Sequence, residues 1–208
     1  MIEKITPNHI LGIPNKHLVK YISELDTKNI VYYEIGIGIG STTLEVSKIL
    51  NNQGKIYLFS KQCDCEELKN DLNKLGYNNI NTNHCSDTKI YSGYHFDMAM
   101  GIMDNKLPHF DVAYLDGGHV FHLDAPTTCM LKELCKINGV IFFDDYNWTI
   151  NYSPTLNPKI RPKTLIEYDK KQINLKHVQI ICKIFMDTDS RYRMIVNNTK
   201  CVAYKRIQ

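Results

Sequence analysis

The chain has 208 residues, 43% of them hydrophobic and 23% charged, and its 25 Lys and Arg against 22 Asp and Glu leave a formal charge of +3. That length buries a sizeable core without disulfide or metal staples, and the composition excludes disorder and collagen-like repeats. The charge is too small to argue for a nucleic acid or a membrane as partner. No apolar run approaches the roughly 20 residues that cross a bilayer, and the opening residues lack the apolar stretch of a secretory signal. Seven cysteines, an odd number without zinc-finger spacing, point to a reducing compartment. A cytoplasmic location is therefore expected. Cys63 and Cys65 read as free thiols in a polar loop.

Along the chain, apolar runs alternate with amphipathic stretches, the pattern of a parallel sheet built through helical crossovers. Residues 1–28, with Leu18, Ile22 and Leu25 at helical spacing, read as a helical segment packed on the sheet rim or partly covering a site. Residues 30–35 read as the first strand and 41–50 as the first crossover helix. A second strand over 55–59 leads to a helix that carries Leu68, Leu72 and Leu75, started by an Asp64/Glu67 capping box and stopped by Gly76. A weak strand over 80–83 precedes a helix with Met98, Met100, Ile102 and Met103 on the sheet.

Residues 110–115 form a fourth strand, 123–137 a helix with Met130, Leu131, Leu134 and Ile137 inward, and 140–143 a fifth strand. Residues 151–163, rich in Pro and Asn, read as loop, and 164–174 as helix. Two β-rich runs, 178–186 and 191–204, predict a closing antiparallel pair. No linker divides the chain. The expectation is one α/β domain over residues 1–208, a doubly wound, mostly parallel sheet with an antiparallel hairpin near residue 208.

Three motifs fall at strand ends. Glu34, Gly36, Gly38, Gly40 and Ser41 lie where the first strand meets the first helix. Glycines there permit positive φ and close approach of a ligand, and the helix start offers free amide donors. Asp116, Gly117, Gly118 and His119 follow the fourth strand, and Asp144 and Asp145 the fifth. Ligands of open α/β sheets sit beyond the carboxyl ends of such strands, near the switch point. Three carboxylates converging there repel one another unless protonated or shared with a cation, and oxygen ligands favour a hard ion such as Mg²⁺ or Mn²⁺. The plainer alternative is a turn cap and a solvated strand end.

The glycine loop with its leading acid resembles motif I of the class I S-adenosylmethionine-dependent methyltransferases. Together with the acids after the fourth and fifth strands, it is similar to the small metal-dependent sugar O-methyltransferases and, more distantly, to catechol O-methyltransferase. The resemblance implies a Rossmann-like methyltransferase fold and S-adenosylmethionine held by Glu34, Gly36, Gly38, Gly40 and Ser41. It also implies a divalent ion on Asp116, Asp144 and Asp145, and a catalytic role for Asp116 with His119 as base. His119 could instead hydrogen-bond the cofactor or buttress Asp116.

The family's acid at the end of the second strand is replaced here by Ser60, followed by Lys61. Ser86 and Asp87 are candidates for the adenine end. The expected activity is methyl transfer to a hydroxyl of a small polar molecule, sugar-like or anionic, without nucleic acid or membrane; a homo-oligomer stays open. A nicotinamide-dependent oxidoreductase is the competing enzyme class, and a methyltransferase-like binding protein without catalysis the non-enzymatic one. The basic run from Lys159 to Lys176 would favour an anionic substrate if it overhung the site.

Overall fold

The computed structural model describes residues 1–5, 12–85 and 92–208. Five strands, β1 (Val31–Ile35), β2 (Lys55–Lys61), β3 (Ile80–Cys85), β4 (Phe110–Leu115) and β5 (Cys135–Phe143), pair in parallel. The remaining two, β6 (Tyr192–Asn197) and β7 (Val202–Arg206), add antiparallel, giving the order β3-β2-β1-β4-β5-β7-β6. The chain turns from one half of the sheet to the other between β1 and β4, the switch point at which such sheets bind ligands.

Strand alternation divides the core in two. On one face Tyr32, Ile56, Val112, Tyr114 and Phe142 pack with Leu18 and Ile22 of α1 (Lys16–Ser23), Val46 and Leu50 of α2 (Ser41–Leu50), and Leu68 and Leu72 of α3 (Gln62–Lys74). On the other face Tyr33, Phe59, Leu115 and Phe143 pack with Met98 of α4 (Tyr94–Met103), Leu131 of α5 (Phe121–Leu134), and Val178 and Ile181 of α8 (His177–Ile181). Two short helices, α6 (Thr164–Glu167) and α7 (Lys170–Asn174), lie in the excursion between β5 and α8. No described helix is long and apolar enough to cross a membrane.

Several elements depart from the sequence reading. The run 178–186 is not a strand: α8 continues into a π-helical turn, Cys182–Met186. Its β-branched residues suggest a strand, but the buried Val178, Ile181, Cys182 and Met186 recur at helical spacing and face the core. Both strands of the closing hairpin come instead from residues 192–206. Helix α5 ends at Leu134, and β5 starts at Cys135, leaving Ile137 63% exposed on the strand rather than inward on a helix.

The Asp64/Glu67 capping box does not form, because α3 already begins at Gln62 and Lys61 at its N-cap makes no side-chain cap bond. Leu75 and Met103 are exposed, so only part of each predicted apolar face packs. The single helix expected over 164–174 is two, the second opened by a capping box between Asp169 and Gln172.

Phe142 is fully buried at the last position but one of β5, with its ring 5.6 Å from that of Tyr21 on α1. Phe142→Ala leaves a cavity between sheet and helix and is expected to cost about 3–5 kcal/mol. Urea unfolding at neutral pH measures it; a loss below about 1 kcal/mol would show that α1 does not pack on this strand.

Candidate active site

The loop after β1 is shaped by three glycines in the left-handed region, Gly36, Gly38 and Gly40, at φ +79°, +49° and +84°. Ile37 between them is buried and anchors the loop, and the Gly40 amide closes the turn onto the Ile37 carbonyl at 2.8 Å. Each glycine has a different neighbourhood. A Cβ on Gly36 would overlap the backbone of Asp116, whose carbonyl carbon would lie 2.6 Å away, and one on Gly40 would run into Leu68. One on Gly38 would meet nothing within 4 Å, leaving that stretch of backbone open to a ligand. Gly40 caps α2, which Ser41 begins, so the first amides of that helix face the same edge.

Sheet pairing carries the other site residues to this edge. The Gly36 amide donates to the Phe59 carbonyl of β2, that of Asp116 to Ile35 of β1 and that of Asp144 to Leu115 of β4, each within 3.0 Å. The β2 end is therefore in place beside the loop, and Ser60 occupies it as the last residue but one of the strand. Ser86 and Asp87 lie outside the described residues.

Glu34 is buried beneath the loop and accepts a hydrogen bond from the Tyr32 hydroxyl at 3.0 Å. Burial pushes its carboxyl up to about 8, against the opposing effect of its hydrogen bonds. Asp116 is held well above the usual carboxylate range, by burial first and then by Asp144, Asp145 and Glu34. Asp144 is raised by burial too, although the Tyr114 hydroxyl donates to its Oδ2 at 2.6 Å and favours its charge. The edge thus gathers four carboxylates. Among the described residues, His119 is the one side chain within ion-pair range of any of them: its Nε2 is 3.6 Å from Oδ1 of Asp116 and 3.6 Å from Oδ2 of Asp145. The Trp148 ring lies over it, centroids 5.4 Å apart.

The three aspartates that the resemblance implied as ion ligands face different partners. Asp144 continues the line of β5 and spends both oxygens on Tyr114 and on Asn15, whose amide nitrogen donates to Oδ1 at 3.2 Å. Asp145 turns into the left-handed region at φ +50° and faces His119 instead. Among the described residues, no three His, Cys, Asp or Glu side chains are grouped to hold a metal. The donor set does not fit a preformed Mg²⁺ or Mn²⁺ site. It does suit a ligand that brings its own positive charge, because such a charge offsets the mutual repulsion of the carboxylates.

Asn15 was not legible as a site residue. Its side chain caps α1 by accepting from the amides of His17 and Leu18, and its own amide donates to Thr42 Oγ1 at the start of α2. One residue thereby ties α1, α2 and the β5 end together. The capping signal of an Asn ahead of Leu18 and Ile22 was readable; its reach to Asp144 was not. Tyr114 lies two residues before Asp116, and strand pairing places it opposite Glu34 in the β1–β4 register.

An unfolded glutamate ionises near 4.3, so across about pH 4.5 to 8 the folded protein keeps a proton on Glu34 that the unfolded chain has released. The contribution of Glu34 to stability therefore falls as pH rises through this window and levels off above it. The Tm of Glu34→Gln relative to the parent is expected to climb from about pH 5 to about pH 8; a difference independent of pH would show that burial does not shift this carboxyl.

No protein-family model matches this sequence, and no curated protein matches it. Solved structures do match its fold. TomG, an O-methyltransferase from Streptomyces achromogenes solved with S-adenosylmethionine, is 12% identical, with a TM-score of 0.64 over 94% of this chain and 82% of its own. An O-methyltransferase from Bacillus cereus, in complex with S-adenosylhomocysteine, is 12% identical at a TM-score of 0.61, covering 98% and 85%. The S-adenosylhomocysteine-bound methyltransferase PaMTH1 of Podospora anserina is 13% identical at 0.63, covering 99% and 84%. The strand order, the closing antiparallel hairpin and these likenesses together show that the chain has the Rossmann-like fold of the class I methyltransferases.

Proposed function

We propose that the chain, acting as one unit over residues 1–208, is an S-adenosylmethionine-dependent O-methyltransferase that modifies a hydroxyl of a small polar molecule. The observation that carries this reading is the gathering of Glu34, Asp116, Asp144 and Asp145 around a glycine loop with open backbone at Gly38. A sulfonium cofactor with an ammonium group is cationic where it would meet these acids. The pyrophosphate of a nicotinamide cofactor is anionic and would be repelled by them.

The bound cofactor would supply an electrophilic methyl group on sulfur. His119 would take the proton from the substrate hydroxyl as its oxygen attacks, and Asp116 and Asp145, each 3.6 Å from Nε2, would offset the charge of the resulting imidazolium. Trp148 against the imidazole limits the ring's freedom. This reading assigns Asp116 and Asp145 to His119 rather than to a divalent ion.

The basic excursion is anchored beside the site. Trp148, Ile150, Leu156, Tyr168 and Ile173 pack with Val120, the residue after His119. Lys176 donates to Asn147 at 2.7 Å. Its lysines therefore favour an acceptor that carries phosphate or carboxylate on the part remote from the reacting hydroxyl. A reducing cytoplasmic setting is part of this reading, from the odd number of cysteines without zinc-finger spacing.

Calorimetry with S-adenosylhomocysteine, NAD and NADP tests the assignment. The parent is expected to bind the first and neither dinucleotide, and Gly38→Val to lose that binding while remaining folded. Binding of a dinucleotide in preference to S-adenosylhomocysteine would refute it. With a methyl acceptor in hand, His119→Gln is expected to lower turnover about a hundredfold, whereas a binding protein shows no turnover in the parent. Turnover that persists in excess chelator supports the His119 assignment. Turnover lost to chelator and restored by Mg²⁺ or Mn²⁺ would return Asp116, Asp144 and Asp145 to a metal.

A further inference from the structure

Residues Tyr94 and Asp124 lie outside the site as described, yet their polar atoms are spent on it. Tyr94 opens α4, Asp124 sits in the first turn of α5, and both are buried, Asp124 to 1% exposure. The Tyr94 hydroxyl donates to Oδ1 of Asp124 in a short hydrogen bond and accepts from the Gly118 amide at 2.9 Å. A buried carboxylate is costly unless hydrogen-bonded. Here the Tyr94 hydroxyl bonds both the carboxylate and the Gly118 amide, so the pair and the turn stabilise each other.

The turn needs that support. His119 stands at φ +54°, a region that non-glycine residues occupy at a cost unless the surroundings hold them there. The Tyr94 ring presses against the same turn: a Cβ on Gly117 would lie 2.7 Å from Tyr94 Cζ, and one on Gly118 2.9 Å from Leu123. The two glycines that precede His119 thus admit the clamp. The imidazole they aim is faced by Asp116 and Asp145, with Asp124 close enough to feel its charge.

We propose that Tyr94 and Asp124 are positioning residues that clamp residues 116–119 so that the His119 imidazole stays between Asp116 and Asp145, an inference that rests on His119 being the base. Neither residue touches the reacting atoms; they act through the backbone of the turn. Tyr94→Phe keeps the ring in the core and removes the hydroxyl, leaving the Gly118 amide and the Asp124 carboxylate each short of a partner. Released, the turn relaxes from its left-handed conformation and the imidazole loses its alignment.

The test joins kinetics to amide exchange. In the parent, the Gly118 amide should be protected from exchange as well as those of β4, and rapid exchange there overturns the proposal without any variant. In Tyr94→Phe, exchange at this amide should quicken about tenfold or more while β1 and β4 are unchanged. Its kcat should fall about 10- to 100-fold, the scale of a misaligned catalytic group, with KM for the acceptor and affinity for S-adenosylhomocysteine altered less than about threefold. Tyr94→Phe combined with His119→Gln should be no slower than His119→Gln alone.

Independent losses that multiply, or a kcat equal to the parent's, would overturn the clamp, as would a lowered Tm with unchanged exchange at the turn. Asp124→Asn, which replaces one of the two acceptor oxygens beside the Tyr94 hydroxyl by a donor, carries the same expectations should Tyr94→Phe not fold. If the parent fails to bind S-adenosylhomocysteine, the proposed activity falls, and the exchange data still decide whether the clamp exists.

Discussion

The contact between Gly36 and Asp116 governs the rest of the site. The backbone leaving β1 passes so close to the backbone leaving β4 that no side chain fits between them. This approach joins the glycine loop and Asp116, the first acid after β4, into one piece, sealed by the Asp116 amide on the Ile35 carbonyl. Any movement of the loop is then a movement of Asp116. The arrangement also explains why the first glycine of the loop is the least replaceable: its requirement is steric and conformational at once, whereas Gly38 is constrained by φ alone.

Around that contact the fold gathers acidic side chains. Glu34, Asp116 and Asp144 are all shifted toward their protonated forms, chiefly by burial. Such a site is unfavourable to the isolated chain and favourable to a cationic ligand, so folding stability and ligand affinity oppose each other at the same side chains. Tyr32, Tyr114 and Asn15 moderate the cost by hydrogen bonding to these carboxylates. The tyrosines do this from within strands, where alternation alone directs them to the acidic face.

What the sequence showed and what it hid follow from how far each feature reaches. Glycines at 36, 38 and 40 and acids at 116, 144 and 145 are local to strand ends, and the alternation of strands and helices places those ends together. Asn15, Tyr94 and Asp124 depend on contacts with residues far along the chain, which no local pattern records. Adjacency misled at Asp144 and Asp145: neighbouring in sequence, they part because one continues an extended strand and the other turns left-handed. The run 178–186 misled through composition, since its β-branched residues outweighed a spacing that was helical throughout.

The antiparallel end of the sheet bears on how the site comes into being. Strand β7 lies between β5 and β6, so β6 gains its place in the sheet only through a strand that follows it in the chain. The turn before β7 also holds the site: the Tyr146 amide donates to the Lys200 carbonyl and the Asn147 side chain to that of Thr199. During synthesis the loop after β1 emerges long before these residues do. The segment after β5 is therefore fastened to the acidic edge only through residues 199 and 200, which follow the loop after β1 by most of the chain, so the two sides of this edge belong to contacts of very different range.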